Sequence, residues 1–315
     1  IMKSIKLLGP TLAALASCLL FSTGGLAIKE IDLPALPLAG FRASIAALSL
    51  WAYLAWQAGA GSVARLGRYG WIGAGSYLVM TVCFVASTKL TTAANAIFLQ
   101  YTMPAWVLVG GALWLGEAIT FGRCLTIALS LVGMFFFFLG ELRPEDWQGN
   151  IIALLSGVSF AAVTLAFRKD REHRPLNAVF WGNALTALLI VPMTVIGMPD
   201  ALSALASARN WLGLLWLGIF QMGLAYIFFV TALKYLPAIE VAILSLIEPV
   251  LNPTWVYLFN GETPSAGAIL GGALILLSVF SRIFLREELP EAEPETPPAT
   301  RPRELSLADS PNPDN

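Results

Sequence analysis

A carboxylate in the middle of a hydrophobic stretch is the residue type that most needs explaining in an apolar chain, and Glu248 is one. It stands about halfway along the run 238–259, directly before Pro249. An ionised carboxylate in hydrocarbon costs several kcal/mol unless it is paired, protonated or wetted by a cavity. Such a group either titrates, taking up a proton or a substrate ammonium group, or accepts hydrogen bonds from backbone freed at the proline bend. Glu248, Asn252 and Trp255 follow one another at i, i+4 and i+7 and so project from one side of a helix. That face offers a carboxylate, an amide and an aromatic surface, a mixture suited to an amphipathic solute or an ammonium cation. The competing roles are helix-to-helix hydrogen bonding for Asn252 and interfacial anchoring, the favoured reading, for Trp255.

Other polar and aromatic side chains recur at helical spacing inside apolar runs. Ser17, Phe21 and Gly24 share one face, and Ser156, Phe160 and Val163 or Thr164 share another. Tyr77 with Thr81, and Met222 with Tyr226, form two more such pairs, while Asn95, Gln100 and Glu240 are polar at depths that a cavity would explain. Ser17, Phe21, Tyr77, Thr81, Asn95, Gln100, Ser156, Phe160, Met222, Tyr226, Glu248 and Asn252 are therefore the candidate substrate-binding residues, with Glu248 also the candidate for proton coupling. Close helix packing through small residues is the alternative role for the serine-bearing faces. Arg42 lies several residues inside the second apolar run; it could hold a substrate carboxylate, but snorkelling to the headgroups or pairing with a helix end is the favoured reading. Pro104 and Pro249 each remove a backbone donor and loosen the preceding turn, making them candidate hinges. Glu117 and Glu262, each beside a glycine, read as loop and capping residues.

Several chemistries find no support. The chain has no HExxH, no Walker loop, no paired intramembrane aspartates and no Ser/His constellation, so an enzyme is not expected. Cys18, Cys83 and Cys124 have no recurring spacing, and the single His173 lies in the cationic loop RKDREHRP without ligand-like neighbours. Disulfides, a bound metal and other cofactors are not expected. That loop reads as a solvated segment whose cations face anionic headgroups.

The elements that must position these residues are apolar runs. The 315 residues are 57% hydrophobic and 12% charged, with a mean hydropathy of +0.73, which places the chain among integral membrane proteins. A net charge of -1 gives no general attraction to nucleic acid. Ten runs are close to the length needed to span a bilayer: 10–28, 36–57, 70–88, 91–115, 121–140, 149–167, 176–197, 210–233, 238–259 and 264–285. The first, with Lys3 and Lys6 before it, is read as a helix of the mature fold and not as a cleaved leader, because it has a partner later in the chain.

That partnership is one part of an internal duplication. KLTTAANAIFLQYTMP from Lys89 and KYLPAIEVAILSLIEP from Lys234 align at an offset of 145, which also carries Gly116-Glu117 to Gly261-Glu262 and Gly122 to Gly267. ALASCLLFSTGGLAIK from Ala14 aligns with ALLSGVSFAAVTLAFR from Ala153 at an offset of 139, pairing Ser17 with Ser156, Phe21 with Phe160 and Lys29 with Arg168. Five helices per copy is an odd number, so a chain that weaves back and forth enters its second copy from the opposite face. The expected fold is all-α and integral to the membrane, with ten transmembrane helices as two inverted five-helix repeats, an arrangement common among secondary transporters. The expected parts are an N-terminal segment 1–9, a first repeat 10–140, a second repeat 141–285 and a tail 286–315. From Glu287 the tail holds seven of the nineteen prolines and eight of the twenty acidic residues, and is expected to be disordered. Twelve Lys and Arg residues fall on the face holding both termini against four on the other, so both termini are expected in the cytoplasm and the protein in the plasma (inner) membrane.

The first-helix run LLFSTGGLAIK, Pro37 with Arg42 in the second helix, and the repeated Lys, Pro and Gly-Glu spacing together resemble the drug/metabolite transporter superfamily, in its EamA-type members with ten helices. The resemblance covers roughly residues 10–285. Many such proteins carry Trp near the position of Phe21, a departure here. The resemblance implies a permease moving small metabolites or amino acids, commonly outward, without nucleotide hydrolysis, through a pocket between helices one, three, four, six, eight and nine. The expected mechanism is rocking of the two halves about bends near Pro104 and Pro249, driven by the solute gradient or by proton exchange at Glu248. Expected partners are a small-molecule solute, the lipid bilayer and protons, with oligomeric state open and a monomer compatible. A passive channel or a membrane sensor is the alternative, and within transport a nucleotide-sugar or drug carrier.

Overall fold

The computed structural model describes residues 2–59, 63, 65–137, 144–260 and 266–284, and all regular structure among them is helical. In chain order the helices are α1 (Met2–Phe21), α2 (Gly24–Glu30), α3 (Ala35–Ala58), α4 (Arg68–Leu90), α5 (Ala93–Gln100), α6 (Met103–Gly110), α7 (Phe121–Phe137), α8 (Trp147–Lys169), α9 (Leu176–Gly197), α10 (Ala208–Leu215), α11 (Ala225–Tyr235), α12 (Ala238–Ser245), α13 (Glu248–Asn260) and α14 (Ala266–Phe284). A π-helical turn, Gly111–Leu115, extends α6, and a π-helical stretch, Trp216–Leu224, joins α10 to α11.

Among the described residues seven helical spans are long and apolar enough to cross a membrane, beginning with Gly9–Glu30 and ending with Ala208–Tyr235. The fifth and tenth expected segments appear as the shorter apolar helices Phe121–Phe136 and Ile269–Ser281. The ninth is divided between α12 and α13. Glu262 and the tail from 286 onward lie outside the described residues, as do the side chains of Lys3, Lys6 and Asn252.

Both proline-bearing segments are interrupted in the same place. Tyr101 and Thr102 form a turn between α5 and α6, and Leu246 and Ile247 form one between α12 and α13, again 145 residues apart. The cause is local: each proline occupies the second position of the following helix, where no intrahelical donor is lost. Its ring cannot donate back to the carbonyl four residues earlier, at Gln100 and at Ser245, so each preceding helix stops there.

Packing between elements follows the duplication. α1 packs on α11 and α12 as α8 packs on α4 and α5; α3 meets the π-helical stretch as α9 meets α4; α3 with α9, and α7 with α14, exchange onto themselves. Atomic contacts repeat the pattern. Ser130 Oγ lies 2.6 Å from Ser278 Oγ, while a Cβ on Gly133 would meet Gly271 O at 2.9 Å and Ile275 at the same distance; the offset of 145 carries Ser130 to Ile275 and Gly133 to Ser278. Likewise Cys18 Sγ donates to Leu244 O at 3.6 Å, and its counterpart Gly157 admits the equivalent backbone so closely that a Cβ would lie 2.7 Å from Gln100 O. Without a hydrophobic force between helices in lipid, such close backbone approach is what holds them together.

These contacts correct one expectation. The two sequence halves do not form separate bodies that could rock as units, because the main neighbours of the long helices come from the other half. The natural groupings are mixed: α4, α5, α6 and α8 on one side, α1, α11, α12 and α13 on the other, with the α3/α9 and α7/α14 pairs beside them.

Candidate functional site

A cavity of about 30 Å³ lies where the two mixed groups face one another. Met80, Thr81 and Phe84 of α4, Gln100 of α5 and Phe160 of α8 form one wall; Phe21 of α1, Gln221 and Met222 of the π-helical stretch, Tyr226 of α11 and Glu248 of α13 form the other, and Arg42 reaches in from α3. The volume admits one or two waters. Pockets that enclose small molecules run to roughly 300–1,000 Å³, so a solute requires the walls to part.

The apolar part of the lining is an aromatic cluster that includes the equivalent pair Phe21 and Phe160. Phe21 and Phe160 meet edge to face with ring centroids 6.5 Å apart; Tyr226 lies 4.9 Å from Phe21 and 4.8 Å from Tyr77. Edge-to-face aromatic pairs hold their geometry beyond simple burial, giving the cavity firm sides. Gly24 makes room for the amide of Gln221, since a Cβ there would lie 2.8 Å from Gln221 Nε2.

The polar part joins both groups. Tyr101, in the turn between α5 and α6, donates from its hydroxyl to Glu248 Oε2 at the first position of α13. Each of the two helix interruptions thus supplies one partner of this bond. Gln100 Nε2 donates to Ser156 Oγ at 2.8 Å, which donates to Met80 O at 3.1 Å. Arg42 is 2% exposed; its Nη2 donates to Thr81 O at 3.3 Å, whereas Nε and Nη1 meet no protein acceptor. Gln221 Oε1 is likewise buried without a protein donor.

Of the residues expected from the sequence to line a site, Phe21, Thr81, Gln100, Phe160, Met222, Tyr226 and Glu248 do line this cavity. Ser17 turns back to Ala14 O at 2.7 Å. Ser156 stands behind Gln100, and Tyr77 behind Tyr226, where it accepts from Asn183 Nδ2 at 3.0 Å. Asn95 is in the first turn of α5, bonded to Thr91 Oγ1 at 3.1 Å, and is not part of the lining. Glu240 needs no cavity to explain its depth, because it forms a buried ion pair with Arg123 at 3.2 Å. Trp255 is half-buried and donates to Ser22 Oγ at 2.8 Å. Arg42 does not snorkel; the packing of α3 against α4, α9 and the π-helical stretch carries it to the centre.

Four lining residues, Arg42, Met80, Phe84 and Gln221, and the partner Tyr101 were not among the expected binding residues. Met80 and Phe84 were within reach, because the face that holds Tyr77 and Thr81 continues through them at helical spacing. Gln221 directly precedes Met222, but a π-helical turn changes which side chains share a face.

Both ends of the cavity are tied across the two groups. At one end Glu117 accepts from Ala238 N at 2.8 Å and from Ile239 N at 3.2 Å, capping α12, and Arg168 Nη1 donates to Leu233 O at 2.8 Å. At the other end Lys29 Nζ donates to Thr91 O at 3.0 Å and Lys89 Nζ to Ile31 O at 2.9 Å. Lys29 and Arg168 are equivalent by repeat, and each places its cation at the C-terminus of α4 or α11, where the helix dipole favours it.

Residues 9–139 and 147–283 each match the model of the EamA-like transporter family. The pseudopaline exporter CntI of Pseudomonas aeruginosa is 29% identical over 281 residues, covering 86% of this chain and 94% of that protein. An uncharacterized transporter of Archaeoglobus fulgidus is 27% identical over 199 residues, 62% of this chain and 69% of that protein. A solved crystal structure superposes with a TM-score of 0.75 at 22% identity, covering 88% of this chain and 96% of its own, a likeness of fold.

Proposed function

The chain belongs to the EamA-like transporter family, and on that premise we propose that it is a secondary carrier exporting small amphipathic metabolites, amino acids or related solutes, by alternating access of the central cavity. The observation that supports this most is the cavity itself, lined by both mixed groups, with hydrogen bonds joining elements across it at both ends. Export is favoured by the similarity to an exporter. The exchange-symmetric packing supports two inverted repeats of five segments, with α5/α6 and α12/α13 as broken spans. The excess of Lys and Arg on one face supports cytoplasmic termini in the plasma membrane.

In this mechanism α4, α5, α6 and α8 move against α1, α11, α12 and α13. Parting them at one end requires release of Glu117 and Arg168, and at the other of Lys29 and Lys89, each tie being remade as the opposite one opens. The turns at 101–102 and 246–247 absorb the change of direction, with Pro104 and Pro249 keeping them unwound. The Tyr101–Glu248 bond spans the moving surfaces at mid-depth, so the proton on Glu248 and the approach of the two groups are linked. Phe21, Phe160 and Tyr226 offer the solute an apolar wall, and Gln100, Gln221 and Glu248 its polar contacts.

Counterflow in proteoliposomes tests the carrier reading: uptake of labelled amino acids should accelerate when unlabelled solute is present on the opposite side. Uptake indifferent to trans solute would mean a channel. Replacing Glu248 with Gln should remove the dependence of that exchange on a pH gradient; full retention of the dependence would remove the proton role.

A further inference from the structure

Arg42 is the charge that protein packing leaves unanswered. It lies on α3, outside both mixed groups, yet its guanidinium reaches the cavity they enclose. Only Nη2 has a protein acceptor, the carbonyl of Thr81 at 3.3 Å, and Nε and Nη1 have none. Glu248 lines the same cavity but is bonded to Tyr101 and makes no ion pair with Arg42. A buried guanidinium without a counter-charge is costly in any apolar surrounding, and it persists where something else supplies the acceptor.

We infer that Arg42 is the anion anchor of the cavity, and that the solute this protein binds is a small amphipath carrying one carboxylate. The charge count selects the class. Arg42 is the single cation among the described lining residues, so a monoanionic head is neutralised there, whereas a doubly charged phosphate would bring a second charge that no other lining cation answers. The unpartnered Oε1 of Gln221 adds an acceptor, suited to an amine or hydroxyl beside the carboxylate. Phe21, Phe84 and Phe160 would then cover the apolar body once the walls part. In this assignment the head group engages first, in a space of about 30 Å³ that cannot hold the remainder.

The inference rests on the carrier reading for its biological meaning, and its test is kept separate. Purified full-length protein is titrated by thermal shift, at fixed ionic strength, with matched acids and amides: L-leucine and L-leucinamide, L-phenylalanine and L-phenylalaninamide, phenylacetate and phenylacetamide. The acid of at least one pair should bind about 10- to 150-fold more tightly than its amide, the range expected for hydrogen bonds to a charged partner. Arg42→Gln should abolish that discrimination and Arg42→Lys retain part of it. Acid and amide binding alike, no acid producing a shift, or a folded Arg42→Gln protein that still discriminates would each overturn the assignment. Should Arg42→Gln fail to fold, the wild-type pairs and Arg42→Lys decide the matter. Trans-acceleration measured with the same pairs separates the two ideas: acceleration by acid and amide equally defeats the anchor alone, and discrimination in binding without any acceleration defeats the carrier alone.

Discussion

Removing the hydroxyl of Tyr101 is the sharpest perturbation of the two interruptions, because Tyr101→Phe deletes one oxygen and leaves the packing of a fully buried ring unchanged. The bond lost is the one to Glu248 Oε2, and Glu248 is only 5% exposed, so water replaces little of it. If the carboxylate is ionised the bond is charge-assisted and contributes about 1.5–3 kcal/mol; if it is protonated, about 0.5–1.5 kcal/mol. A cycle of Tyr101→Phe, Glu248→Gln and the double variant isolates the pair from everything else each side chain does. Unfolding free energies can be read in mixed micelles from the labelling of Cys18, which is buried in the native fold. The coupling should fall within these ranges. Losses that add to within about 0.5 kcal/mol would show that the two side chains do not act as a unit, and would refute the link between the two helix interruptions.

Three further outcomes follow from separate contacts. Gly157→Ala places a methyl 2.7 Å from Gln100 O and 3.0 Å from Leu99 O; backbone atoms cannot swing aside, so a loss of about 1–3 kcal/mol is expected from overpacking, seen as a lower melting temperature, and an unchanged one would deny the close approach of α8 to the first interruption. Glu240→Gln leaves Arg123 buried beside a neutral group and should cost about 3–5 kcal/mol, whereas Arg123→Met with Glu240→Met should cost less than the single change; the opposite order in unfolding measurements would contradict a buried pair. Arg168→Gln removes the donor to Leu233 O, and solvent access to cysteines introduced near Ala238 should rise by several-fold in maleimide labelling; unaltered labelling would count against a closing role at that end.

What could be read from the sequence was whatever depends on chain-local rules. The duplicated punctuation at Pro104 and Pro249 located both interruptions, because proline acts on its own helix regardless of neighbours. Glu117 reads as a capping residue from its place beside Gly116, but the helix it caps, α12, is 121 positions away and could not be named from the sequence. Depth within the bundle was not legible. Arg42 and Asn95 look alike in an apolar run, yet tertiary packing sends the first to the centre and keeps the second in the first turn of α5. Glu240 seemed to need a cavity because its counter-charge, Arg123, is 117 positions away. Tyr101 passed for an ordinary aromatic since nothing in FLQYTMP announces that its hydroxyl will meet a carboxyl from the other half.

The interlocking of the halves bears on how the protein is made. While the ribosome is still adding the second half, α1, α4 and the interrupted α5/α6 segment lack the neighbours that α8, α11 and α12 will provide, and Arg42 and Gln100 have no enclosed place to go. The newly inserted first half must therefore wait, loosely associated or shielded by an insertion factor, until synthesis is nearly finished. A chain severed in the 138–143 connection should assemble only when both pieces are produced together.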